Sequence, residues 1–148
     1  MVSPEALLAL AAELVASQDE VKWRCAMSRA YYAVFHAART ELRKLGFATR
    51  QSDQAHVAIS RRWSHCGHSS LSEIGDCLSE LRTNRNLADY DLDRSFGHFR
   101  AQSGVTKANQ ILGILRSNLS NQQQAKLVEE IRRYERDVLR DVTWISPN

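Results

Sequence analysis

One face of a predicted helix carries an arginine where a leucine is expected. The positions at helical spacing between residues 71 and 92 are Leu71, Ile74, Leu78, Leu81, Arg85, Ala88 and Leu92. Burying a guanidinium without a partner costs several kcal/mol. Asp89 is four residues further on, but the order Arg before Asp is the weaker orientation for an intrahelical pair. Arg82 lies on nearly the same face and adds repulsion. Two adjacent cations beside an apolar stripe favour an anion site. The alternative is a cluster of Arg85, Asp89 and Tyr90 that only fixes helix register.

A second predicted helix offers a complementary set of side chains. Arg29, Tyr32 and His36 are three and four residues apart and share one side, with Arg43 further along the same side. A guanidinium, a phenol and an imidazole on one face can bind a phosphate and move a proton. The alternative is that His36 is an ordinary structural histidine.

Two patterns around residues 62–68 are interpreted as coincidence. Arg62 and His68 have a spacing that suits an arginine–histidine nuclease motif, but they lie in a segment that ends in a glycine loop. His65, Cys66 and His68, with Cys77, suggest zinc, although adjacent ligands seldom converge on one ion and no CxxC pair exists. We predict no metal and no other cofactor.

The periodicity predicts a chain built of five to six helices. The expected helices cover about residues 4–17, 20–45, 54–63 and 70–91, followed by one around 105–119 and a last one from Ser120. Expected N-caps are Ser3, Ser70 with Glu73, and Ser120 with Gln123. The stripe predicted to face inward on the last helix is Leu127, Ile131, Tyr134 and Val138. Short connections between amphipathic helices predict an all-α, up-and-down antiparallel bundle, and the length predicts a single domain over residues 1–148.

Composition restricts the location more than the partner. The net charge of +3 is weak evidence for a polyanionic ligand, although basic residues concentrate between positions 20 and 50. The N-terminal segment is expected to be an amphipathic helix and not a signal peptide, and no apolar run approaches the ~18 residues of a membrane span. Three scattered cysteines favour a reducing compartment, so we expect a cytoplasmic protein without membrane contact.

Two motifs together resemble a known family. The segment SRAYYAVFHAA from Ser28, followed some fifty residues later by RNLADYD from Arg85, is similar to a HEPN domain (higher eukaryotes and prokaryotes nucleotide-binding). The resemblance implies a helical bundle that is often a homodimer and is common in prokaryotic toxin–antitoxin and defence modules. Members are frequently encoded beside a minimal nucleotidyltransferase, which would act as antitoxin. Many active members are metal-independent endoribonucleases.

The resemblance also implies a site, with one departure. Active HEPN nucleases carry an arginine, a polar residue and then a histidine after four to six intervening positions. Arg85 and Asn86 match the first two elements, whereas Tyr90, Asp91 and Leu92 occupy the histidine's places, as in the branch with an Arg-x-x-Ala-Asp-Tyr motif. His36 or His98 would then have to replace the missing imidazole.

Three functions follow from these residues. The first is an RNA-directed toxin or defence component with nuclease activity, in which dimerisation brings two copies of Arg85 and Asn86 together. The second is a module that has lost catalysis and binds nucleotide, RNA or a nucleotidyltransferase. The third is a structural dimer in which the Arg85 cluster only fixes helix register. The predicted catalytic residues are Arg85, Asn86, His36 and Tyr90. The predicted RNA- or phosphate-binding residues are Arg82, Arg29, Tyr32, Asp89 and Arg43.

Overall fold

Six α-helices make up most of the chain in a computed structural model that describes residues 1–146. They are α1 (Pro4–Val15), α2 (Glu20–Lys44), α3 (Ala55–Ser64), α4 (Ser69–Tyr90), α5 (His98–Leu115) and α6 (Asn121–Tyr134). A short π-helical turn, Glu135–Leu139, continues α6. No strand of two or more residues occurs in the described residues, which contain one isolated bridge between Phe47 and Trp144. The predicted all-α bundle of five to six helices is confirmed.

The helices contribute to two compact units. The first unit contains residues 1–37 and 77–113, and the second contains residues 38–76 and the described residues from Ile114 onward. The prediction of a single domain over the whole chain stays a prediction. No helix within residues 1–146 is both long enough and apolar enough to cross a bilayer.

Two of the three predicted helix caps are confirmed. Ser3 Oγ accepts a hydrogen bond from the backbone N–H of Ala6 at 3.1 Å, with Pro4 in the first helical turn. Ser120 and Gln123 form the predicted capping box of α6. These side chains satisfy backbone N–H groups that have no partner within the helix.

The predicted capping box of α4 at Ser70 is wrong. The helix begins one residue earlier, at Ser69, so Ser70 lies inside the first turn. The imidazole Nδ1 of His68 instead accepts a hydrogen bond from the N–H of Leu71 at 3.3 Å. A histidine that precedes the helix therefore performs the role assigned to the serine.

Small residues and antiparallel contacts define the first unit. The α2 alanines at positions 26, 30, 33 and 37 are completely buried, so neighbouring backbones can approach α2 closely. A Cβ placed on Gly104 of α5 would lie 2.7 Å from the sulfur of Met27, which shows that α5 is one such neighbour. The beginning of α2 lies against the end of α4, because Arg24 contacts Ala88 while Tyr31 contacts Arg85. The two helices therefore run antiparallel in this unit.

The second unit contains a buried ion pair that explains one wrong prediction. Val138 was expected to face inward but is 63% exposed, whereas Glu135 is completely buried. Arg62 Nε donates to Glu135 Oε1 at 2.8 Å, and the Glu135 carboxylate also accepts from the N–H of Thr143 at 3.0 Å. Glu135 lies four residues after the buried Ile131, so the apolar stripe of α6 continues into a carboxylate. From Ile131 onward, periodicity alone selects the apolar residue Val138 as the next buried position and passes over Glu135.

Candidate functional site

Arg85 is buried against three tyrosine rings. Its guanidinium carbon lies 5.3 Å from the ring centroid of Tyr31, 5.4 Å from that of Tyr32 and 5.8 Å from that of Tyr90. These distances are within the ~6 Å range over which an aromatic ring attracts a cation. Only 7% of the Arg85 surface is exposed. We call Arg85 with its three tyrosines the arginine cage.

The carboxylate four residues after Arg85 lies at the limit of ion pairing. Asp89 Oδ2 is 3.8 Å from Arg85 Nη1, which is longer than a hydrogen bond. Asp89 Oδ2 instead accepts a hydrogen bond from Ser28 Oγ at 3.3 Å, and Ser28 Oγ accepts one from Arg29 Nη2 at 3.3 Å. The Nε atom of Arg85 is buried and has no hydrogen-bond partner among the described residues. The cage therefore holds the cation largely through aromatic faces.

Arg82 adds a second positive charge that acts on Tyr31, one of the rings of the cage. Its Nε is also buried without a hydrogen-bond partner in the described part of the chain. Burial raises the pKa of Tyr31 to about 12, although the positive charges of Arg82 and Arg85 act to lower it. Tyr31 is therefore a protonated phenol near neutral pH, and it cannot act there as a base.

The other predicted residues of the first unit relate to the cage in different ways. Asn86 is exposed on α4, and Tyr90, the last residue of α4, is 76% exposed. Arg29 lies over the ring of Tyr32, at 5.6 Å from its centroid. The ring of His36 stacks on Tyr32 with centroids 6.0 Å apart. The first unit therefore brings Arg29, Tyr32 and His36 of α2 together as the spacing predicted.

The other two residues proposed from sequence have structural contacts. His98 Nε2 lies 2.9 Å from the carbonyl oxygen of Val15, to which it must donate, and its ring meets Trp23 edge-on at 5.3 Å. Arg43 belongs to the second unit, where its Nε donates to Thr49 Oγ1 at 2.6 Å. We leave both residues out of the candidate site.

The side chains considered for zinc make contacts with neighbouring protein groups instead. His65 Nδ1 lies 2.8 Å from the carbonyl oxygen of Arg61, and its ring stacks on Tyr134 with centroids 4.0 Å apart. The thiol of Cys66 points to the carbonyl of His68. No group of three or more His, Cys, Asp or Glu side chains suited to a metal ion occurs among residues 1–146. Arg62, the arginine of the coincidental motif, is bound to Glu135.

Sequence reasoning missed the residue that holds the end of α4. Arg24 Nη1 donates to the backbone carbonyls of Ala88 at 3.0 Å and Asp91 at 3.1 Å, and Nη2 donates to that of Arg94. Helix α4 has no basic residue in its last turn, so these carbonyls are satisfied from α2 instead. The available signal was the spacing of Glu20 and Arg24, which pair at 2.9 Å.

Glu20 also helps to hold the segment that follows α4 against α2. Its Oε1 accepts from the N–H of Phe96 at 3.0 Å as well as from Arg24. The hydrogen bond from Phe96 and that from Arg24 lower the pKa of Glu20. The carboxylate therefore stabilises the fold above its ordinary pKa, and this contribution is lost as the pH falls through the lowered value.

The comparison with known families decides the classification. The family model described as HEPN domain matches residues 6–118, about three quarters of the chain. The chain belongs to the HEPN domain family. The match includes all of the cage residues and the part of α2 that carries Arg29 and His36. No curated protein and no solved structure gave a match. HEPN domains generally bind nucleotides or RNA and are often RNase-like.

We expect replacement of Arg24 by methionine to loosen the end of α4. Arg24→Met removes the donors to at least three backbone carbonyls and should lower the free energy of unfolding by ~1–3 kcal/mol. Lys22→Met, an exposed change on the same helix, is the matched control. Chemical denaturation measures the loss, and faster amide hydrogen exchange between residues 87 and 97 locates it. Equal stability of the two variants would contradict this role.

Proposed function

We propose that this HEPN domain is an RNA-directed module of a prokaryotic toxin–antitoxin or defence system. The observation that carries the proposal is the arginine cage: a guanidinium that is buried, held by aromatic faces and only weakly paired with a carboxylate. Such a guanidinium keeps its charge available to a phosphate, which it can bind in bidentate form. Arg82 would add a second cation, and the exposed Asn86, the next residue of α4, would add an amide.

Cleavage of RNA would need a group that exchanges a proton near neutral pH. Histidine is the side chain that ordinarily does so. His36 stacks on Tyr32, which in turn packs against Arg85, so we propose His36 as general base or acid. Arg85 would stabilise the charge that develops on the phosphate. The reaction would be a metal-independent endoribonuclease step.

The alternative function is RNA or nucleotide binding without catalysis. Tyr90, Asp91 and Leu92 stand where active relatives are expected to carry the motif histidine. The raised pKa of Tyr31 also keeps this phenol of the cage from acting as a base. A module of this kind would bind RNA, a nucleotide or a minimal nucleotidyltransferase partner through the same residues.

We propose further that two copies associate near the cage, in the cytoplasm. Support for an interface comes from three large side chains of the first unit that are more than two-thirds exposed, namely Tyr90, Leu92 and Phe99. Support for the cytoplasmic location comes from the three cysteines, which are free, as they would be in a reducing compartment. The test concerns the association. Light scattering at micromolar concentration should give the mass of a homodimer, and Phe99→Ser should shift it toward the monomer. A wild-type monomer would count against the shared site.

RNA binding should depend on the charge of Arg85 and not merely on its volume. Arg85→Met keeps an unbranched apolar side chain among the tyrosines, so we expect a folded protein whose affinity for a single-stranded RNA oligonucleotide falls about ten- to a hundredfold. Arg85→Lys should recover little, because an ammonium cannot reproduce the bidentate grip. Fluorescence anisotropy measures both.

Arg61→Met provides the control, because Arg61 is exposed on α3 and carries the same charge. It should weaken binding far less. If Arg85→Met binds RNA as well as Arg61→Met does, the cage is not the binding site. Circular dichroism on each variant separates lost binding from lost fold.

Cleavage, where wild-type protein shows it, should require His36 and should persist in excess chelator. His36→Gln removes the proton carrier but leaves the cage intact, so RNA binding should remain while cleavage falls by at least about a hundredfold. Activity that disappears with chelator and returns with zinc or magnesium would contradict the mechanism. Binding by wild type without any cleavage would favour the alternative function.

A further inference from the structure

A basic cavity lies in the first unit, beyond the end of α4. Its volume is about 470 Å³, which is within the range of small-molecule sites. Three arginines, Arg24, Arg94 and Arg100, contribute to its wall together with Ser95 and Asp91. None of these residues belongs to the arginine cage. We call this cavity the α4-end pocket.

The charges in the α4-end pocket are unequally compensated. Arg24 is paired with Glu20 and uses its remaining donors on backbone carbonyls. Arg94 Nε lies 3.7 Å from Asp91 Oδ2, which is too long for a hydrogen bond. Arg100 has no acidic partner within 4.0 Å among the described residues and contacts the ring of Phe96 at 5.8 Å from its centroid. Two arginines therefore retain donors for a ligand.

The wall of the pocket is built from fixed parts. Phe96 is only 2% exposed and lies under the guanidinium of Arg24, at 5.6 Å from its ring centroid. Its N–H is held by Glu20. Helix α5 begins at His98, between Ser95 and Arg100, and its first turn contains no acidic residue. The partial positive charge of a helix N-terminus adds to that of the two arginines.

We propose that the α4-end pocket binds a phosphate group through Arg94 and Arg100, with Ser95 as an additional donor. Paired guanidinium groups match the oxygens of a phosphate in bidentate geometry, and Arg24 keeps the loop that carries them in place. The phosphate can belong to a free nucleotide or to an RNA strand. For an RNA strand the inference rests on the proposed function, and the pocket would hold a second phosphate of the strand bound at the cage. The cage and the pocket are close enough for one strand to reach both, because residue 85 of the cage and residue 91 in the pocket wall are separated by roughly 9 Å along a helix axis.

The test uses the full chain with substitutions at the mouth of the pocket. Arg94 and Arg100 are exposed, so Arg94→Gln and Arg100→Gln should fold, and Arg61→Gln removes the same charge elsewhere. Calorimetric titrations use inorganic phosphate, AMP and adenosine. Anisotropy uses a single-stranded RNA oligonucleotide with and without a 5′-phosphate, which distinguishes a terminal phosphate from an internal one. Arg24 is left unchanged because it holds α4.

We expect AMP to bind wild type and adenosine not to bind. Arg94→Gln and Arg100→Gln should each weaken AMP binding at least about tenfold, and the double variant should abolish it, whereas Arg61→Gln should resemble wild type. AMP binding with this dependence but no RNA binding would support the pocket while overturning the proposed function. A different result would overturn the pocket and leave the proposed function standing: RNA binding requires Arg85, while Arg94→Gln, Arg100→Gln and Arg61→Gln have the same effect on RNA binding and on AMP binding. Adenosine binding as tight as AMP binding would also overturn the pocket.

Discussion

The cation–aromatic contact between Arg85 and its tyrosines is the constraint on which the first unit depends. A buried guanidinium ordinarily requires a carboxylate at hydrogen-bond distance, because an uncompensated charge costs several kcal/mol. Here Asp89 remains 3.8 Å away, and the rings of Tyr31, Tyr32 and Tyr90 surround the charge instead. Each such contact contributes about 0.5–2 kcal/mol. The charge is thereby tolerated without being neutralised, which is the condition that a phosphate-binding arginine must meet.

The cage also dictates how α2 and α4 must be arranged. Tyr31 and Tyr32 can reach Arg85 only if the two helices pack closely and in register, and the buried alanines of α2 permit the close approach. Arg24 fixes the register from the other end by binding the carbonyls at the end of α4. The same side chain orders residues 91–96, so the cage and the α4-end pocket share one structural support. A change at Arg24 should therefore affect both, although the groups proposed to bind phosphate are side chains of other residues.

Periodicity was sufficient for the number of helices and for the position of Arg85, because apolar spacing reports which face is buried. It placed α5 too late, since that helix begins at His98 and ends at Leu115 instead of covering residues 105–119. It also grouped Arg29, Tyr32 and His36 correctly. It failed where a polar group from elsewhere in the chain satisfies a buried partner. Glu135 occupies a buried position because Arg62 binds it, and the helical pattern of apolar residues does not predict a buried carboxylate there. The role of Arg24 was missed for the same reason, because its acceptors are backbone carbonyls more than sixty residues away in the chain.

The most direct test of the cage is a double-mutant cycle on the free energy of unfolding. One cycle combines Arg85→Met with Tyr32→Leu, and a second combines Arg85→Met with Asp89→Asn. If the tyrosines hold the cation, the first cycle should give a coupling of about 0.5–2 kcal/mol. The second should give a coupling near zero, and Asp89→Asn alone should cost little. A large coupling to Asp89 with none to Tyr32 would show that Arg85 is a neutralised structural cation, and the cage would not exist as a binding feature.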